Sequence, residues 1–357
     1  MARVSAIARL AAAAAATVAT ACSGPAVTSR PVLVDPAPPE QGDPRSVLLR
    51  ELEVEVRASY ERDSLDAAAA ATAIDPSVGL AAIGVGPDAI AVGTAPDERW
   101  PVQDVGGRPI TIVSRGLELG LSADRTVGWA YDDLSLRLPV CDRIASIPLR
   151  IAQVWVRDSE RWTLVAEHVA YAQPMGRWLD AAIGPDGVRM ASARERQSES
   201  TAAQEAVAAA VAVDGDRMVW DARDDALAVW PDPLQVLRGA ATRTGPSLAQ
   251  SLGATAVGLE GVRVALGPTR SVAIVSTTLA AKVQRAKNGG VGEVDIRLRG
   301  TFVVERVVEQ VSGKEVDAWR VRQALVSTPI TTGALVGRSV GIAATVGAGG
   351  RVTITCR

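Results

Sequence analysis

Hydrophobic and polar positions change their spacing along the chain in a way that predicts a helix followed by strands, twice over. Residues 44–74 carry apolar positions near helical spacing, such as Leu52 and Val56, between charged residues. Residues 198–213 form a second, Ala-rich helical stretch. β-Branched segments bounded by Gly, Pro or Asp come after each stretch and predict four strands per half. This order predicts an α+β fold with helices packed on one face of a curved antiparallel sheet.

The two halves repeat each other in sequence. Four blocks recur in the same order, about 150 residues apart, which predicts a duplicated domain. The aligned blocks are 126–134 with 271–279, 147–150 with 296–299, Trp162 with Trp319, and the strands that these two tryptophans begin, 162–169 with 319–326. Upstream of these blocks two alignments stay open: one pairs Pro96 with Pro231, and the other pairs Asp75 with Asp221.

The N-terminus carries the features of an exported lipoprotein. Arg3 and Arg9 precede an uncharged, Ala-rich run. This run is shorter than the ~20 apolar residues that a bilayer span needs. Small residues at 19–21 precede Cys22 and resemble a bacterial lipobox, although Ala19 stands where such motifs usually carry Leu. We expect cleavage before Cys22, acylation of its thiol (palmitate or a similar chain) and, because Ser23 follows, an outer-membrane anchor facing the periplasm. The alternative is an ordinary secretory signal peptide with an incidental Cys.

These patterns divide the chain into five segments. Six prolines between residues 24 and 44, with little hydrophobic periodicity, predict an extended tether. In the tail, two short β-branched runs around a Gly-rich turn indicate a hairpin. The predicted segments are the signal peptide 1–22, the tether 23–44, the first domain 45–178, the second domain 195–330 and the tail 331–357.

Composition excludes several kinds of function. The chain of 357 residues has 38 Lys and Arg against 40 Asp and Glu, so no general attraction to nucleic acid is expected. A single His excludes a multi-His metal site, and the absence of a Cys-x-x-Cys pair leaves zinc unsupported, so we predict no metal and no cofactor. In an exported protein Cys141 and Cys356 form either a disulfide or two free thiols, and the sequence leaves both open.

Three segments of the first half resemble a known family. Residues 92–100, 127–129 and 162–170 resemble the SnoaL-like branch of the nuclear transport factor 2-like superfamily, and residues 271–330 resemble a diverged copy. The resemblance implies two cone-shaped nuclear transport factor 2-like domains, each with a bent sheet around a hydrophobic cavity behind the helices. It also implies that such domains associate through their sheets, so that a tandem copy forms a pseudo-dimer within one chain.

The candidate catalytic residues are His168, Tyr60 and Asp133. Strict alternation along residues 162–170 places His168 on the same face as Trp162 and Leu164, either lining the cavity or packed at a sheet interface. It is either a general base or a hydrogen-bonded structural His. Enzymes of the superfamily such as ketosteroid isomerase pair a helix Tyr with carboxylates, which suggests Tyr60 with Asp132 or Asp133. The spacing after Tyr60 departs from that pattern, and we expect both aspartates to end a strand in solvent.

Two functions are consistent with the sequence. Trp129, Trp155 and His168 are the candidate ligand-binding residues for a small apolar molecule. The favoured hypothesis is a non-catalytic cell-envelope lipoprotein that is held to the membrane through Cys22 and binds such a ligand or a protein partner. The alternative is an isomerase, cyclase or hydrolase acting on a small hydrophobic substrate in the cavity of the first domain.

Overall fold

The elements of the folded part, as a computed structural model describes them, lie between residues 43 and 354. The described residues are 43–65, 81–83, 90–92, 110–140, 143–172, 201–211, 218–232, 234–287, 290–329, 344–346 and 352–354. The predictions that concern the signal peptide, the tether up to residue 42, Cys22, Cys141, Cys356, Asp75 and Pro96 fall outside these residues.

Each half begins with a helix and continues mainly as strands. The helices are α1 Pro44–Leu65, α2 Ala202–Val211, α3 Ala241–Thr244 and α4 Leu248–Leu252. The strands of the first half are β1 Ala81–Ile83, β2 Ile90–Val92, β3 Thr111–Ser114, β4 Glu118–Leu121, β5 Val127–Val140, β6 Arg143–Asp158 and β7 Arg161–Tyr171. Those of the second half are β8 Leu227–Val229, β9 Val236–Arg238, β10 Ala254–Leu266, β11 Val272–Lys287, β12 Gly290–Val311 and β13 Lys314–Ser327, and the tail adds β14 Ala344–Val346 and β15 Val352–Ile354.

The strands form two large sheets of the same design. Sheet 1 has the order β2-β1-β7-β6-β5-β3, with β4 also paired to β5, and sheet 2 has the order β10-β11-β12-β13-β8-β9. In each sheet a short hairpin (β1–β2 or β8–β9) adds its first strand parallel to the last strand, β7 or β13. All other neighbours are antiparallel, and β14 pairs with β15 in a separate two-stranded sheet.

The predicted fold class, helices packed on a curved antiparallel sheet in two cone-shaped nuclear transport factor 2-like domains, is wrong. The described residues contain fifteen strands and four helices, and α1 is the one helix among them that is longer than ten residues. Both sheets are mixed, since each contains one parallel pair. The architecture is mostly β because the apolar segments form long hairpins, up to the 22 residues of β12, whose side chains fill most of each core.

The register shows which residues of the two halves correspond. Asp133 pairs with Arg150 in sheet 1, and Thr278 pairs with Arg299 in sheet 2, as the aligned sequence blocks require. At the parallel pairs, Ile83 lies opposite His168 and Val229 opposite Leu325. Val229 therefore corresponds to Ile83, with the same offset of residue numbers as the alignment of Asp221 with Asp75.

The two sheets pack on each other. One shared cluster joins side chains of sheet 1 such as Val127 and Val165 to Val272 and Ile274 of sheet 2. A second shared cluster joins Tyr131, Ala152 and Ala170 to Leu227, Val229 and Leu325. One face of each sheet is thus covered by the other sheet, and the opposite face of sheet 1 packs against α1.

A bulge in β7 corrects the predicted alternation. Val154 pairs with Ala166 but Trp155 pairs with Leu164, so Val165 is an extra residue in β7. A bulge of this kind exchanges the faces on which later side chains lie. Trp162 and Leu164 accordingly pack in the core beneath α1, whereas Ala166 lies in the cluster between the sheets. Strict alternation predicted that His168 shares a face with Trp162 and Leu164. Because of the bulge, this prediction is wrong.

Candidate functional site

His168 lies between the two sheets. Its side chain is fully buried, with Nδ1 3.1 Å from Thr301 Oγ1 and Nε2 2.7 Å from Ser327 Oγ. Burial, reinforced by the nearby charge of Arg299, lowers the pKa of His168 to about 3. The imidazole is neutral near pH 7, with both ring nitrogens bonded to the second repeat, so this arrangement matches the structural His that the sequence allowed.

The counterparts of this polar trio are apolar. The register places Leu325 where His168 lies, Ala152 where Thr301 lies and Ala170 where Ser327 lies. These three residues pack together in the shared cluster between the sheets. The interface is therefore polar around His168 and apolar at the three corresponding residues.

Arg322 forms a buried ionic cluster in the same interface. Its guanidinium lies 3.1 Å from Asp221 and 3.2 Å from Glu305, and it also pairs with Asp225. The guanidinium carbon lies 5.4 Å from the ring centre of Trp129, within the range of a cation–π contact. Arg322 is the bulge residue of β13 and corresponds to Val165 in β7.

The predicted ligand-binding residues do not form one site. Trp129 lines a cleft of about 90 Å³ between the repeats, together with Gln323, Leu119, Leu227 and other residues. Trp155 lies in the core beneath α1, where its Nε1 donates to Gln153 Oε1 at 3.3 Å. His168 lies in the sheet interface, away from both.

Asp133 belongs to a partly exposed ion pair. It accepts a hydrogen bond from the Tyr131 hydroxyl at 2.9 Å and lies 3.4 Å from Arg150 Nε. Burial raises the pKa of Tyr131 well above its usual value. Asp133 lies on the opposite face of β5 from its neighbour Asp132, so it does not meet Tyr60.

Asp132 and Tyr60 meet on the face of sheet 1 that α1 covers. Asp132 is fully buried in the middle of β5, so the expectation that it ends a strand in solvent is wrong. Its Oδ1 accepts from the backbone N–H groups of Arg115 and Gly116 at 3.2 and 3.0 Å. The Tyr60 hydroxyl hydrogen-bonds the Asp132 carboxyl, and the side chain of Ser114 also bonds this carboxyl.

Burial and mutual repulsion control the titration of this pair. Burial raises the pKa of the Asp132 carboxyl, against hydrogen bonds that lower it. Burial, followed by the charges of Asp132 and Glu167, raises the pKa of Tyr60 well above its usual value. The two groups are therefore close enough to interact, and Tyr60 is a neutral hydroxyl near pH 7.

Further polar side chains extend this cluster along sheet 1. Gln153 Nε2 donates to Glu167 Oε2 at 2.8 Å and approaches Ser59 Oγ at 3.4 Å. Gln153, Glu167 and Ser59 are all buried, and Gln153 and Glu167 lie directly opposite each other on β6 and β7. We call Ser59, Tyr60, Asp132, Gln153 and Glu167 the helix-side cluster.

The second repeat has no such cluster at the equivalent positions. Phe302 and Ala324 pair with each other where Gln153 and Glu167 pair, and Thr277 corresponds to Asp132. Phe302 and Ala324 are fully buried in an apolar core. The positions of Gln153 and Glu167 thus accept apolar residues in the second repeat, so the fold itself does not require polar side chains there.

The sequence analysis named Tyr60 and, beside Asp133, also Asp132, which it wrongly expected in solvent, but it missed Gln153 and Glu167. A usable signal was present, because the repeat alignment sets Glu167 against Ala324 and Gln153 against Phe302. A buried polar pair in one copy that is apolar in the other points to a role outside folding.

Comparisons with known proteins add no family to this description. No protein-family model matches the chain, and a search of curated proteins finds no match. Among the described residues, no group of three or more His, Cys, Asp and Glu side chains is arranged to hold a metal ion. None of the helices described is both long enough and apolar enough to span a membrane.

Proposed function

We propose that this chain is a cell-envelope lipoprotein whose first repeat binds a small, mainly apolar ligand that carries one polar group, without turning it over. The observation that carries the proposal is the helix-side cluster. Its Tyr60, Asp132, Gln153 and Glu167 are buried polar side chains, and removing such groups from water costs free energy that hydrogen bonds among them offset only in part. Since the second repeat has Phe302 and Ala324 at the positions of Gln153 and Glu167, a ligand is the simplest reason to retain this cost.

The position of His168 supports a non-catalytic role. A general base must reach the proton that it removes. Both nitrogens of His168 are hydrogen-bonded inside the sheet interface, and its pKa of about 3 makes it a very weak base.

A thermal-shift screen tests the binding proposal. The intact mature chain is mixed with a panel of short-chain amines, ketones, alcohols and carboxylates, and a binder raises Tm because it stabilises only the folded state. We expect Asp132→Asn and Tyr60→Phe to reduce the shift. Asp133→Asn, which changes the neighbouring carboxylate on the other face of β5, is the matched control and should leave it intact. If no compound shifts the Tm of the unmodified chain, the proposal fails.

An enzyme is the second candidate, and one observation favours it. Asp132 and Tyr60 are neighbouring buried groups whose pKa values are both raised, and perturbed groups of this kind concentrate at catalytic sites. Such a pair could polarise a substrate carbonyl, as an isomerase requires. Detection of a product from any compound that binds, and its loss in Asp132→Asn, would favour the enzyme over the binding protein.

The anchor, the location and the relation to SnoaL-like proteins are proposals that rest on the sequence. Acylation of Cys22 is supported by the lipobox-like residues 19–21, and the outer membrane by Ser23. Intact-mass analysis of the membrane fraction should show a diacylated chain beginning at Cys22, and Cys22→Ser should release the protein. A mature chain that is soluble and unmodified would refute the anchor.

The intramolecular pseudo-dimer is likewise a proposal. Two observations support it. Two hydrophobic clusters are shared between the sheets, and β7 and β13 carry their bulges at the corresponding residues Val165 and Arg322.

A further inference from the structure

The cleft between the repeats lies apart from the helix-side cluster and has room for a small chemical group. Its volume of about 90 Å³ corresponds to about three water molecules in the liquid, which is enough for a group of about four or five non-hydrogen atoms. The wall is partly apolar, with Leu119, Leu227 and Trp129 among its residues, and partly polar.

The charged groups of this wall are largely compensated. Glu118 forms an ion pair with Arg238, and Asp225 pairs with Arg322. Asp224 is exposed, so water screens its charge. The cleft therefore does not require a cation, and its carboxylates disfavour an anion, so a neutral group fits its electrostatics best.

Gln323 offers a hydrogen-bond acceptor to the cleft. The residue lies on β13 and is only 3% exposed. Its Nε2 donates to the backbone oxygen of Ala130 at 3.2 Å, and because that oxygen can only accept, this bond fixes the orientation of the side-chain amide. Within the part of the chain that the structure describes, no hydrogen bond reaches its Oε1. Gln323 Oε1 is therefore available to a molecule in the cleft.

Trp129 offers a hydrogen-bond donor. Its side chain is 2% exposed, and its Nε1–H forms no hydrogen bond with any of the described residues. Gly120 leaves this nitrogen uncovered, because a Cβ there would lie 2.1 Å from it. The guanidinium carbon of Arg322 lies 5.4 Å from the centre of the indole ring, over its face. The edge with the N–H group, rather than that face, is thus available to a ligand.

An amide group matches this donor and this acceptor. Its carbonyl oxygen can accept from Trp129 Nε1, and its N–H can donate to Gln323 Oε1. A guanidinium or ammonium group has no acceptor for the indole N–H. A carboxylate has no donor for Gln323 and would lie among the carboxylates of the wall.

The fold does not require polar side chains at these two positions. The repeat alignment and the strand register place Ile274 where Trp129 lies and Ala166 where Gln323 lies. Ile274 and Ala166 are buried in the hydrophobic cluster that the two sheets share. Apolar residues thus complete the packing of the sheets at the corresponding positions.

We propose that the cleft between the repeats binds the amide group of a small molecule, with its carbonyl oxygen on Trp129 Nε1 and its N–H on Gln323 Oε1. This site goes beyond the proposed function, because both repeats form it and it shares no residue with the helix-side cluster.

Three probes of the same shape and different charge test the ligand class: acetamide, acetamidinium and acetate. Dissociation constants are measured by NMR titration of the intact mature chain near pH 7, with isotope-labelled tryptophan so that the indole N–H signals are observed. Acetamide should bind and shift the indole signal of Trp129. A neutral hydrogen bond changes affinity by about two- to tenfold, so acetamidinium, which cannot accept from Trp129, should bind at least about threefold more weakly. Acetate should show no binding.

A fourth probe, N-methylacetamide, distinguishes two sources of the amide. Tighter binding than that of acetamide assigns the site to an amide within a chain, and weaker binding assigns it to a terminal carboxamide.

Variants then locate the amide. Trp129→Phe removes the donor and identifies the Trp129 signal, and Gln323→Met removes the acceptor at similar size. Each should weaken acetamide binding about three- to tenfold. Gln323→Ala, which installs the residue of the first repeat, serves the same purpose if the Met variant does not fold. Trp319→Phe changes a tryptophan that packs against the core of the second repeat, so this matched control should leave the affinity unchanged.

Three results would overturn the proposal. If acetamidinium or acetate binds as tightly as acetamide, the amide is refuted as the ligand class. If acetamide binds equally well to the intact chain and to the Trp129 and Gln323 variants, or shifts other indole signals but not that of Trp129, the location is refuted. If acetamide does not bind, the site itself is refuted.

Discussion

The interface trio of His168, Thr301 and Ser327 should make the stability of the protein depend on pH in a window of its own. The pKa of His168 falls from an ordinary 6.5 to about 3 in the folded chain, because burial disfavours the imidazolium. Between these values the unfolded chain binds a proton that the folded chain does not, so stability is full above pH 6.5 and is lost as pH falls. Each unit of difference corresponds to about 1.36 kcal/mol, so His168 alone should cost about 2 kcal/mol at pH 5 relative to pH 7.

The matched variant replaces the trio by its counterparts in the repeat alignment. In His168→Leu/Thr301→Ala/Ser327→Ala, each residue becomes its counterpart, Leu325, Ala152 or Ala170, which already pack together in the same interface. His168→Leu alone should be less stable than this triple variant, because it leaves the buried hydroxyls of Thr301 and Ser327 without their partner, at about 1–3 kcal/mol each.

Urea unfolding followed by Trp fluorescence at several pH values between 8 and about 5 measures the effect. The decrease in unfolding free energy from pH 7 to pH 5 should be about 2 kcal/mol smaller in the triple variant than in the unmodified chain. Aspartates with lowered pKa values, such as Asp124, lose their contribution only below their ordinary value of 3.8 and so do not enter this window. Equal pH dependence in the two proteins would show that His168 does not carry the effect.

Three further changes test the interface and the helix-side cluster. Arg322→Leu should cost about 1.5–3 kcal/mol in urea unfolding, because it removes one of the two cations of the buried Asp221 and Glu305 and leaves them paired with Arg223 alone. The control Arg320→Leu, which breaks a partly exposed pair with Glu309, should cost at most about 1 kcal/mol, and equal losses would contradict the argument. Gly120→Ala should cost about 1–3 kcal/mol, since a Cβ there would overlap the indole ring of Trp129, whereas Gly258→Ala meets nothing within 4 Å and should be nearly neutral. Asp132→Asn should raise Tm near pH 7 in the absence of ligand, because a carboxyl whose pKa is raised on folding lowers stability once pH exceeds its ordinary 3.8; a lower Tm near pH 7 would contradict this sign.

Periodicity along the chain located many elements but not the surfaces that cover them. The aligned blocks fall on corresponding strands with matching register, because alternation and turn residues are local properties that a sequence records. The predicted share of helix relative to strand was wrong, because the described residues contain long hairpins such as β11–β12. One face of each sheet is also covered by the other sheet rather than by helices. Sheet-on-sheet packing depends on contacts between distant residues, which periodicity does not reveal.

The candidate site shows the same limit at single residues. One extra residue, Val165, moves His168 to the face of β7 opposite Trp162 and Leu164, and a bulge has no strong signature in sequence. Tyr60 was found from its place on a helix, whereas Asp132 was assigned to solvent because two adjacent aspartates usually end a strand. In the structure Asp132 is buried on the face of β5 that α1 covers, and the half-exposed Asp133 lies on the opposite face, because neighbours on one strand alternate between its two faces.

The asymmetry between the repeats has a consistent physical pattern. The first repeat keeps buried polar groups on its helix side, whereas the second directs polar groups such as Arg322, Thr301 and Ser327 towards the interface. Strand β7 links the two regions, because His168 on one face bonds the second repeat while its neighbour Glu167 on the other face bonds Gln153. A change in the interface therefore acts on the same strand that positions the helix-side cluster, and the triple interface variant should alter ligand binding only so far as it shifts β7.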